Sequence, residues 1–153
     1  MENAKTITIA DVMTKSVVSV DASITINEAA KMMEDTKVGA VIVMEDNIPI
    51  GIVTDRDFAV KVVAHVYPLA SPVKQIMSSP LFSIDSDESV RVAADLMHDR
   101  GIRKLPVIDN ENVVGIITAT DIVHLLSVCV EEDMRDMYFH SVAKIFDNYS
   151  PYN

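Results

Sequence analysis

The sequence predicts an α/β fold of the α+β type, in which two tandem β-α-β-β-α repeats pack as a pseudo-twofold pair. Two observations predict this fold class: the chain matches itself at an offset of 64 residues, and each copy carries the same order of strand and helix patterns. We expect a first repeat domain at residues 7–66, a second at residues 67–130 and a C-terminal helical extension at residues 131–153.

The internal repeat places residues 11–58 over residues 75–122 without a gap, and twelve of the 48 aligned positions are identical. A unit of about 50 to 60 residues buries too little surface to be comfortably stable alone, so the two copies are expected to pack together. The identical positions of the first copy are Met13, Ser19, Asp21, Ala29, Ala30, Met33, Asp35, Val43, Gly51, Ile52, Thr54 and Asp57.

Each copy begins with a short apolar strand that is followed by an amphipathic helix. The helix is predicted because apolar residues recur at the spacing of one helix face, and Ser23 or Thr25 is placed to cap the first of the two helices. The predicted strands and helices are residues 17–20 and 26–33 in the first copy and residues 81–84 and 90–97 in the second.

A hairpin and a last helix complete each copy. Continuous β-branched runs on either side of a polar turn predict two largely buried strands. A helix is expected to begin at Thr54 and at Thr118, because a hydroxyl with a carboxylate three positions later suits a helix N-terminus. The hairpin strands are predicted at residues 40–44 and 50–53, and at residues 105–108 and 114–117.

Two segments outside the repeat pattern are also predicted to be ordered. The link at residues 65–72 contains two prolines and is expected to be an ordered connector. Residues 128–148 have an acidic start and predict one or two amphipathic helices that pack against the repeats or against a partner chain. The apolar positions of that segment are Met134, Met137, Tyr138, Val142 and Ile145.

The charge balance argues against a nucleic-acid partner. The chain has 23 acidic and 13 basic residues, which gives a formal net charge of −10. Such a field repels a polyanion unless a local basic patch overrides it. We therefore predict no binding to nucleic acid.

The composition predicts a cytoplasmic protein. Cys129 is the only cysteine, so no internal disulfide can form, and a Met-rich chain with a single thiol suits a reducing compartment. Residues 1–11 lack the basic start and apolar stretch of a secretory signal. Every apolar run is far shorter than the roughly 18 to 20 residues that span a bilayer, so no membrane insertion is expected.

No catalytic or metal chemistry is predicted from the sequence. The four histidines show no metal-ligand spacing with cysteine or carboxylates, and Cys129 is interpreted as a packed thiol because no base or oxyanion partner is recognisable near it. Neither a glycine-rich phosphate loop nor a Ser-His-Asp arrangement is present. We expect a protein that is not an enzyme and has no catalytic cofactor.

The strongest chemical signal is a Gly-x-x-Thr-x-x-Asp pattern that occurs at the same place in both copies, at residues 51–57 and 115–121. A single copy of this pattern would be explained by helix capping, with Thr as the N-cap and Asp in the first turn. Its recurrence within matching repeats favours a shared functional role.

With these features the sequence resembles the CBS domain family, named after cystathionine beta-synthase, over about 110 residues as a tandem pair. The resemblance is carried by the repeat order, by Asp-Val-Met at residues 11–13, by Ile-Arg-Lys-Leu-Pro-Val at residues 102–107 and by the two Gly-x-x-Thr-x-x-Asp patterns. It implies clefts between the paired domains that bind AMP, ADP, ATP or S-adenosylmethionine, with the aspartate accepting hydrogen bonds from the ribose hydroxyls.

The resemblance implies that one cleft combines the first pattern with cations of the second copy. Arg103 suits a bidentate phosphate contact and Lys104 adds a point charge, and Arg100 would lie one turn before Arg103 if the helix continued that far. A solvated basic patch is the alternative interpretation of these cations. The residues assigned to this cleft are Thr54, Asp57, Met77, Phe82, Ile102, Arg103, Lys104 and Pro106.

The other cleft implied by the resemblance lacks matching cations, because Gly39 and Ala40 stand where the second copy has Arg103 and Lys104. Phosphate capture is doubtful there, so we predict asymmetric occupancy, with an adenosine that carries little phosphate or no ligand at all. The residues assigned to this cleft are Met13, Val18, Val38, Gly39, Ala40, Thr118 and Asp121.

Three functional hypotheses follow from the sequence. The first is a regulatory module, expected to be a homodimer of repeat pairs, that binds an adenosine ligand and transmits a conformational change to an unknown effector protein. The second is an adaptor that only dimerises and whose Thr and Asp residues cap helices. The third is a subunit that supports an enzyme in trans without sensing a ligand.

Overall fold

Residues 6–147 of the computed structural model are described and form two compact units. The first unit is residues 16–82, and the second unit is residues 6–15 together with residues 83–147. In chain order the helices and strands are α1 (Ile9–Val12), β1 (Ser19–Asp21), α2 (Ile26–Thr36), β2 (Ala40–Glu45), β3 (Ile48–Thr54), α3 (Asp55–Asp57), α4 (Val90–Arg100), β4 (Lys104–Asp109), β5 (Asn112–Thr118), α5 (Ala119–Val128) and α6 (Glu132–Phe146). The predicted α+β class is confirmed.

The sheet of the first unit has the order β1-β2-β3, with β1 parallel and β3 antiparallel to β2. The hairpin turns through Asp46 and Asn47, which both have positive φ, a conformation that short polar side chains tolerate better than most. A register shift between Val43 and Met44 marks a bulge in the hairpin. Val41, Ile42 and Val43 follow one another in β2 and are all fully buried, so both faces of this strand are covered.

Helix α2 begins and ends where its sequence provides caps. Thr25 is the N-cap of α2 and forms a capping box with Glu28. In this box Glu28 Oε2 accepts a hydrogen bond from the Thr25 backbone N–H at 2.8 Å. The helix ends at Lys37, which has the left-handed conformation. Its apolar stripe of Ile26, Ala29 and Met33 is buried in the core of the first unit, as the periodicity predicts.

The connector at residues 65–72 is ordered and returns to the N-terminus of α2. The backbone N–H of Ile26 donates to the carbonyl of Ser71 at 2.9 Å, and the N–H of Val73 donates to the carbonyl of Ile24 at 2.7 Å. A short 3₁₀ turn, Val73–Gln75, follows. The connector therefore packs as part of the first unit.

The compact units group the beginnings of the copies differently from the predicted domains at residues 7–66 and 67–130, whose boundaries stay a prediction. The beginning of each copy pairs with β3 or β5 at matching positions: Ser78 with Ile52 in the first unit, and Thr14 with Ile116 in the second. As a result, residues 67–82 lie with the first copy and residues 6–15 lie with the second.

Residues 81–84 do not form the predicted strand. Ile84 makes a single parallel bridge to Val107. The physical reason is Pro106: its counterpart in the first unit, Ile42, donates its N–H to the carbonyl of Val18 at 3.0 Å, and proline has no N–H to donate. The sheet of the second unit is accordingly the hairpin β4-β5 alone.

The last helix differs between the two copies. In the second unit α5 is a regular helix from Ala119 to Val128. In the first unit, α3 is a single turn and continues into a π-helical segment, Phe58–Val63. The sequence predicts the same helix in both copies, and nothing in the structure explains the wider turn of the first.

The C-terminal extension forms one helix, α6, which packs on α4 and α5. Tyr138 and Ile145 are buried as predicted, whereas Met137 is 41% exposed. The hydrogen bond from Lys144 Nζ to Asp95 Oδ1, 2.6 Å long, links α6 to α4 and raises the pKa of the Lys144 ammonium. The remainder of the predicted extension, residues 148–153, lies outside the described residues. In the described range, helices long and apolar enough to cross a membrane are absent.

Candidate functional site

The two Gly-x-x-Thr-x-x-Asp patterns each lie where a strand passes into a helix, one in each unit. In the first unit the Thr54 N–H donates to Asp57 Oδ2 at 2.8 Å. In the second unit the Thr118 N–H donates to Asp121 Oδ2 at the same distance, and the Asp121 N–H donates to Thr118 Oγ1 at 3.2 Å. Both patterns therefore form capping boxes, as the capping interpretation predicts.

The carboxylates of the two patterns have different surroundings. Asp57 is only 8% exposed, and its Oδ1 pairs with Lys61 Nζ at 2.9 Å. Lys61 also donates to the carbonyl of Ile76 at 2.8 Å. Asp121 is partly buried, and the matching position four residues later is Leu125. The Asp57 carboxylate is thus more rigidly held and more fully hydrogen-bonded than that of Asp121.

The loop between the first helix and the hairpin adjoins the Thr–Asp turn of its own unit. In the first unit Ala40 pairs with Thr54, and the N–H of Asp55 donates to the carbonyl of Gly39 at 3.2 Å. Because β2 and β3 fix this register, the loop and the turn stay adjacent. Val38, within this loop, is partly buried against the core of the first unit.

The second unit repeats this arrangement with cations in the loop. Lys104 pairs with Thr118, and the N–H of Ala119 donates to the carbonyl of Arg103 at 2.9 Å. Gly101 has a φ of +62° and ends α4 in the left-handed conformation. Helix α4 therefore does not continue to Arg103, which was the condition for Arg100 to lie one helical turn before Arg103.

The guanidinium of Arg103 lies over the ring of Phe146, with Cζ 4.6 Å from the ring centroid. Phe146 is the last residue of α6. This distance is within the range of a cation–π contact. Arg103, the residue predicted to bind phosphate, is therefore in direct contact with the C-terminal extension.

The glycine of each pattern admits a methionine from the beginning of a copy. A Cβ on Gly51 would lie 2.9 Å from the carbonyl oxygen of Ser78 and would also collide with Met77. A Cβ on Gly115 would lie 2.9 Å from the carbonyl oxygen of Thr14 and collide with Met13. These glycines are thus explained by close approach rather than by an unusual backbone angle.

The remaining predicted residues divide between the units. Val18 and Phe82 belong to the first unit, and both are partly buried. Ile102 is partly buried beside the loop of the second unit, and Pro106 is buried within β4. Within the first unit the structure brings together Thr54, Asp57, Gly39 and Ala40 around one turn. The assignment of Arg103 and Lys104 to the same ligand as Asp57 stays a prediction.

Lys61 and Phe146 were missed by the sequence analysis. Lys61 could have been found, because it lies four residues after Asp57, the spacing at which helical side chains meet. The contact of Phe146 with Arg103 joins positions 43 residues apart in the sequence, and no local pattern indicates it. In residues 6–147, groups of three histidine, cysteine or acidic side chains able to hold a metal are absent.

Comparison with known proteins relates both repeats to one family. The model described as CBS domain matches residues 9–64 and 73–128. The CBS domain-containing protein YhcV of Bacillus subtilis is 38% identical over 112 residues, which cover 73% of this chain and 80% of that protein. An uncharacterised protein of Methanopyrus kandleri is 34% identical over 137 residues, which cover 86% of this chain and 70% of that protein.

Solved structures show the same relationship. A protein with CBS domains from Burkholderia ambifaria has a TM-score of 0.75 and 26% identity, covering 82% of this chain and 97% of its own. The CBS domain pair of protein MJ0100 has a TM-score of 0.73 and 27% identity, covering 80% of this chain and 97% of its own. The latter is a complex with 5′-methylthioadenosine and S-adenosyl-L-methionine.

Proposed function

The chain belongs to the CBS domain family, and from this membership we propose that it is a regulatory module that binds an adenosine-containing ligand and acts on a partner protein. Transmission requires that the ligand bind two states of the module with different affinity. A homodimer in the cytoplasm, controlling an enzyme or a transporter, is the form of the module that we propose.

The ligand class is supported by the complex of the related MJ0100 domain pair, in which both bound molecules contain adenosine. AMP, ADP, ATP and S-adenosylmethionine are the candidates for this chain. They share the adenine and the ribose and differ in what the 5′ position carries. The shared part defines the ligand class, and the 5′ group distinguishes its members.

Asp57 is the residue that we propose binds the ribose of the ligand. Its carboxylate is held by the Thr54 N–H on one oxygen and by Lys61 on the other. A carboxylate has about four acceptor positions. The Thr54 N–H, the Thr54 hydroxyl at 3.3 Å and Lys61 use three of them, so about one position is left for a ribose hydroxyl. A carboxylate that is already fixed loses little conformational freedom on binding. This rigid geometry is the single observation that most strongly favours Asp57.

Arg103 and Lys104 are the residues that we propose bind the phosphate of the ligand. Arginine matches phosphate with two parallel N–H donors, and lysine adds a point charge. Gly39 and Ala40 offer no charge at the corresponding positions of the first copy. We therefore propose that the chain binds one phosphorylated adenosine, and that a second ligand, if bound, has little phosphate.

An adaptor without ligand is the second candidate function. It is favoured by the observation that both Thr–Asp pairs complete capping boxes, which explains these residues without any ligand. In that case the Asp residues contribute to stability alone, and the exposed side of the C-terminal helix α6 becomes the surface on which to search for a partner.

The experiment that separates the two functions is calorimetric titration of ligand-free protein with AMP, ADP, ATP and S-adenosylmethionine. We expect one of them to bind. We expect Asp57→Ala to weaken the binding of that ligand by about 10- to 100-fold, because a charge-assisted hydrogen bond contributes roughly 1.5 to 3 kcal/mol.

Glu28→Ala is the matched control, because Glu28 forms an equivalent capping box with Thr25 away from the proposed ligand residues. Asp121→Ala tests the second pattern in the same way. Equal affinities in the wild type and Asp57→Ala would remove Asp57 from the proposal. If none of the four ligands binds the wild type, the adaptor function replaces the sensor.

A further inference from the structure

The C-terminal helix α6 contacts the proposed phosphate ligand through its last residue. We propose that Phe146 is a positioning residue that holds the Arg103 guanidinium for the 5′-phosphate of the ligand. This inference rests on the proposed function, because it assigns a role to Phe146 only if Arg103 binds phosphate. It makes the C-terminal extension part of the specificity for phosphorylated ligands.

The Arg103 guanidinium lies over the Phe146 ring, with Cζ 4.6 Å from the ring centroid. Arg103 is an exposed residue in the loop between α4 and β4. An exposed arginine has many rotamers, and fixing one of them on ligand binding costs conformational entropy. An aromatic ring under the guanidinium reduces the number of rotamers before the ligand arrives.

The ring is itself fixed by contacts of the preceding residues of α6. Lys144 Nζ donates to Asp95 Oδ1 at 2.6 Å, and the Lys144 carbonyl lies 2.9 Å from Nδ1 of His98. Asp95 and His98 both belong to α4, whose C-terminus leads into the Arg103 loop. Ile145 is buried. The end of α6 is thus attached to the helix from which the loop emerges.

Stacking and phosphate binding use different parts of the guanidinium. A guanidinium that stacks on an aromatic ring turns its face to the ring, and the N–H donors that bind a phosphate lie in its plane. One arginine can therefore engage an aromatic ring and a phosphate together. This geometry favours positioning of Arg103 over its sequestration by Phe146.

The test measures how much a phosphate adds to affinity. For each protein, dissociation constants are determined by calorimetry for AMP and for 5′-methylthioadenosine, which has no phosphate. Their ratio is the phosphate preference. We expect Arg103→Ala to reduce this ratio by at least about tenfold. We expect Phe146→Leu to reduce it by about two- to tenfold, because the ligand must then immobilise an arginine side chain that the ring no longer holds.

Two variants separate positioning from a general loss of structure. Phe146→Tyr retains an aromatic ring and should retain the wild-type ratio. Phe139→Leu makes the same change on the same helix at a residue that is 58% exposed and should leave the ratio unchanged. A change in fold would alter the affinity for 5′-methylthioadenosine as well, which positioning does not require.

The possible failures are distinguishable. If the wild type binds neither AMP nor 5′-methylthioadenosine, the proposed function fails and this inference fails with it. If the wild type binds and Arg103→Ala lowers the ratio while Phe146→Leu leaves it unchanged, only the role of Phe146 is overturned. An increased ratio in Phe146→Leu would also overturn it, because it would mean that the ring withholds Arg103 from phosphate.

Discussion

At the scale of single residues, each Thr–Asp pair performs a structural task whether or not a ligand is present. The hydrogen bond from Thr54 to Asp57 resembles that from Thr25 to Glu28, and both are 2.8 Å long. What distinguishes Asp57 is its burial and the Lys61 ion pair. The capping box alone therefore carries no functional information, whereas the environment of its carboxylate does.

The capping carboxylate of Glu28 gives a prediction about pH. The backbone N–H and then the hydroxyl of Thr25 donate to it and lower its pKa below the ordinary value of 4.5. A lowered pKa in the folded state means that the charged form stabilises the fold above the ordinary pKa, and that this contribution is lost as the pH falls through the lowered value.

For Glu28→Gln we therefore expect a lower free energy of unfolding than for the wild type at pH 7, with the difference shrinking as the pH falls below the ordinary pKa of 4.5. Urea denaturation followed by circular dichroism between pH 3 and pH 7 measures this difference. A difference that stays constant over the whole range would show that the charge of Glu28 does not contribute to the cap.

At the scale of elements, local sequence patterns were sufficient wherever the determining interactions are local. The caps and apolar stripe of α2 and the polar turns of both hairpins were readable because they depend on neighbouring residues. The prediction of a strand at residues 81–84 was wrong, because the pairing of this segment depends on Pro106, which follows it by more than 20 residues. That failure was avoidable, since a proline in the receiving strand removes a donor.

Helix α6 gives a prediction about an unpaired polar group. The Tyr138 hydroxyl is buried, and within residues 6–147 it has no hydrogen-bond partner. Burial also raises the pKa of Tyr138 above its ordinary value. A buried hydroxyl without a partner costs about 1 to 3 kcal/mol, so removing it should stabilise the protein.

We expect Tyr138→Phe to raise the free energy of unfolding by about 1 kcal/mol, measured by urea denaturation. Tyr67→Phe is the matched control, because the Tyr67 hydroxyl donates to Gln75 Oε1 at 2.6 Å, and its loss should not stabilise the protein. A decrease in stability for Tyr138→Phe would contradict the assignment and indicate that the hydroxyl is hydrogen-bonded in solution.

At the scale of the whole molecule, the repeat predicted the family and the α+β class, but not the membership of the compact units. Residues 6–15, at the beginning of the first copy, belong to the second unit. Residues 67–82, at the beginning of the second copy, belong to the first unit. The self-alignment could not reveal this exchange. The beginnings of the two copies have similar residues, so each could pair with its own copy or with the other. The glycines that admit Met13 and Met77 were visible, but not which copy supplies each methionine.

The candidate residues were predicted from family resemblance, and their detailed environment was not. Sequence alone named Asp57 and Arg103, because both stand at positions that the family pattern marks. It could not provide the Phe146 contact, which depends on long-range packing, whereas the Lys61 ion pair was readable from the four-residue spacing after Asp57. These contacts are what differentiate the two copies beyond their sequences.

The most direct test of the central claim asks whether Asp57 recognises a ribose. Dissociation constants for AMP and for 2′,3′-dideoxy-AMP are measured by calorimetry with the wild type and with Asp57→Ala. We predict that the wild type binds AMP about 10- to 100-fold more tightly than the dideoxy form and that Asp57→Ala binds both alike. If the variant retains the wild-type preference for AMP, Asp57 does not bind the ribose and the account is contradicted.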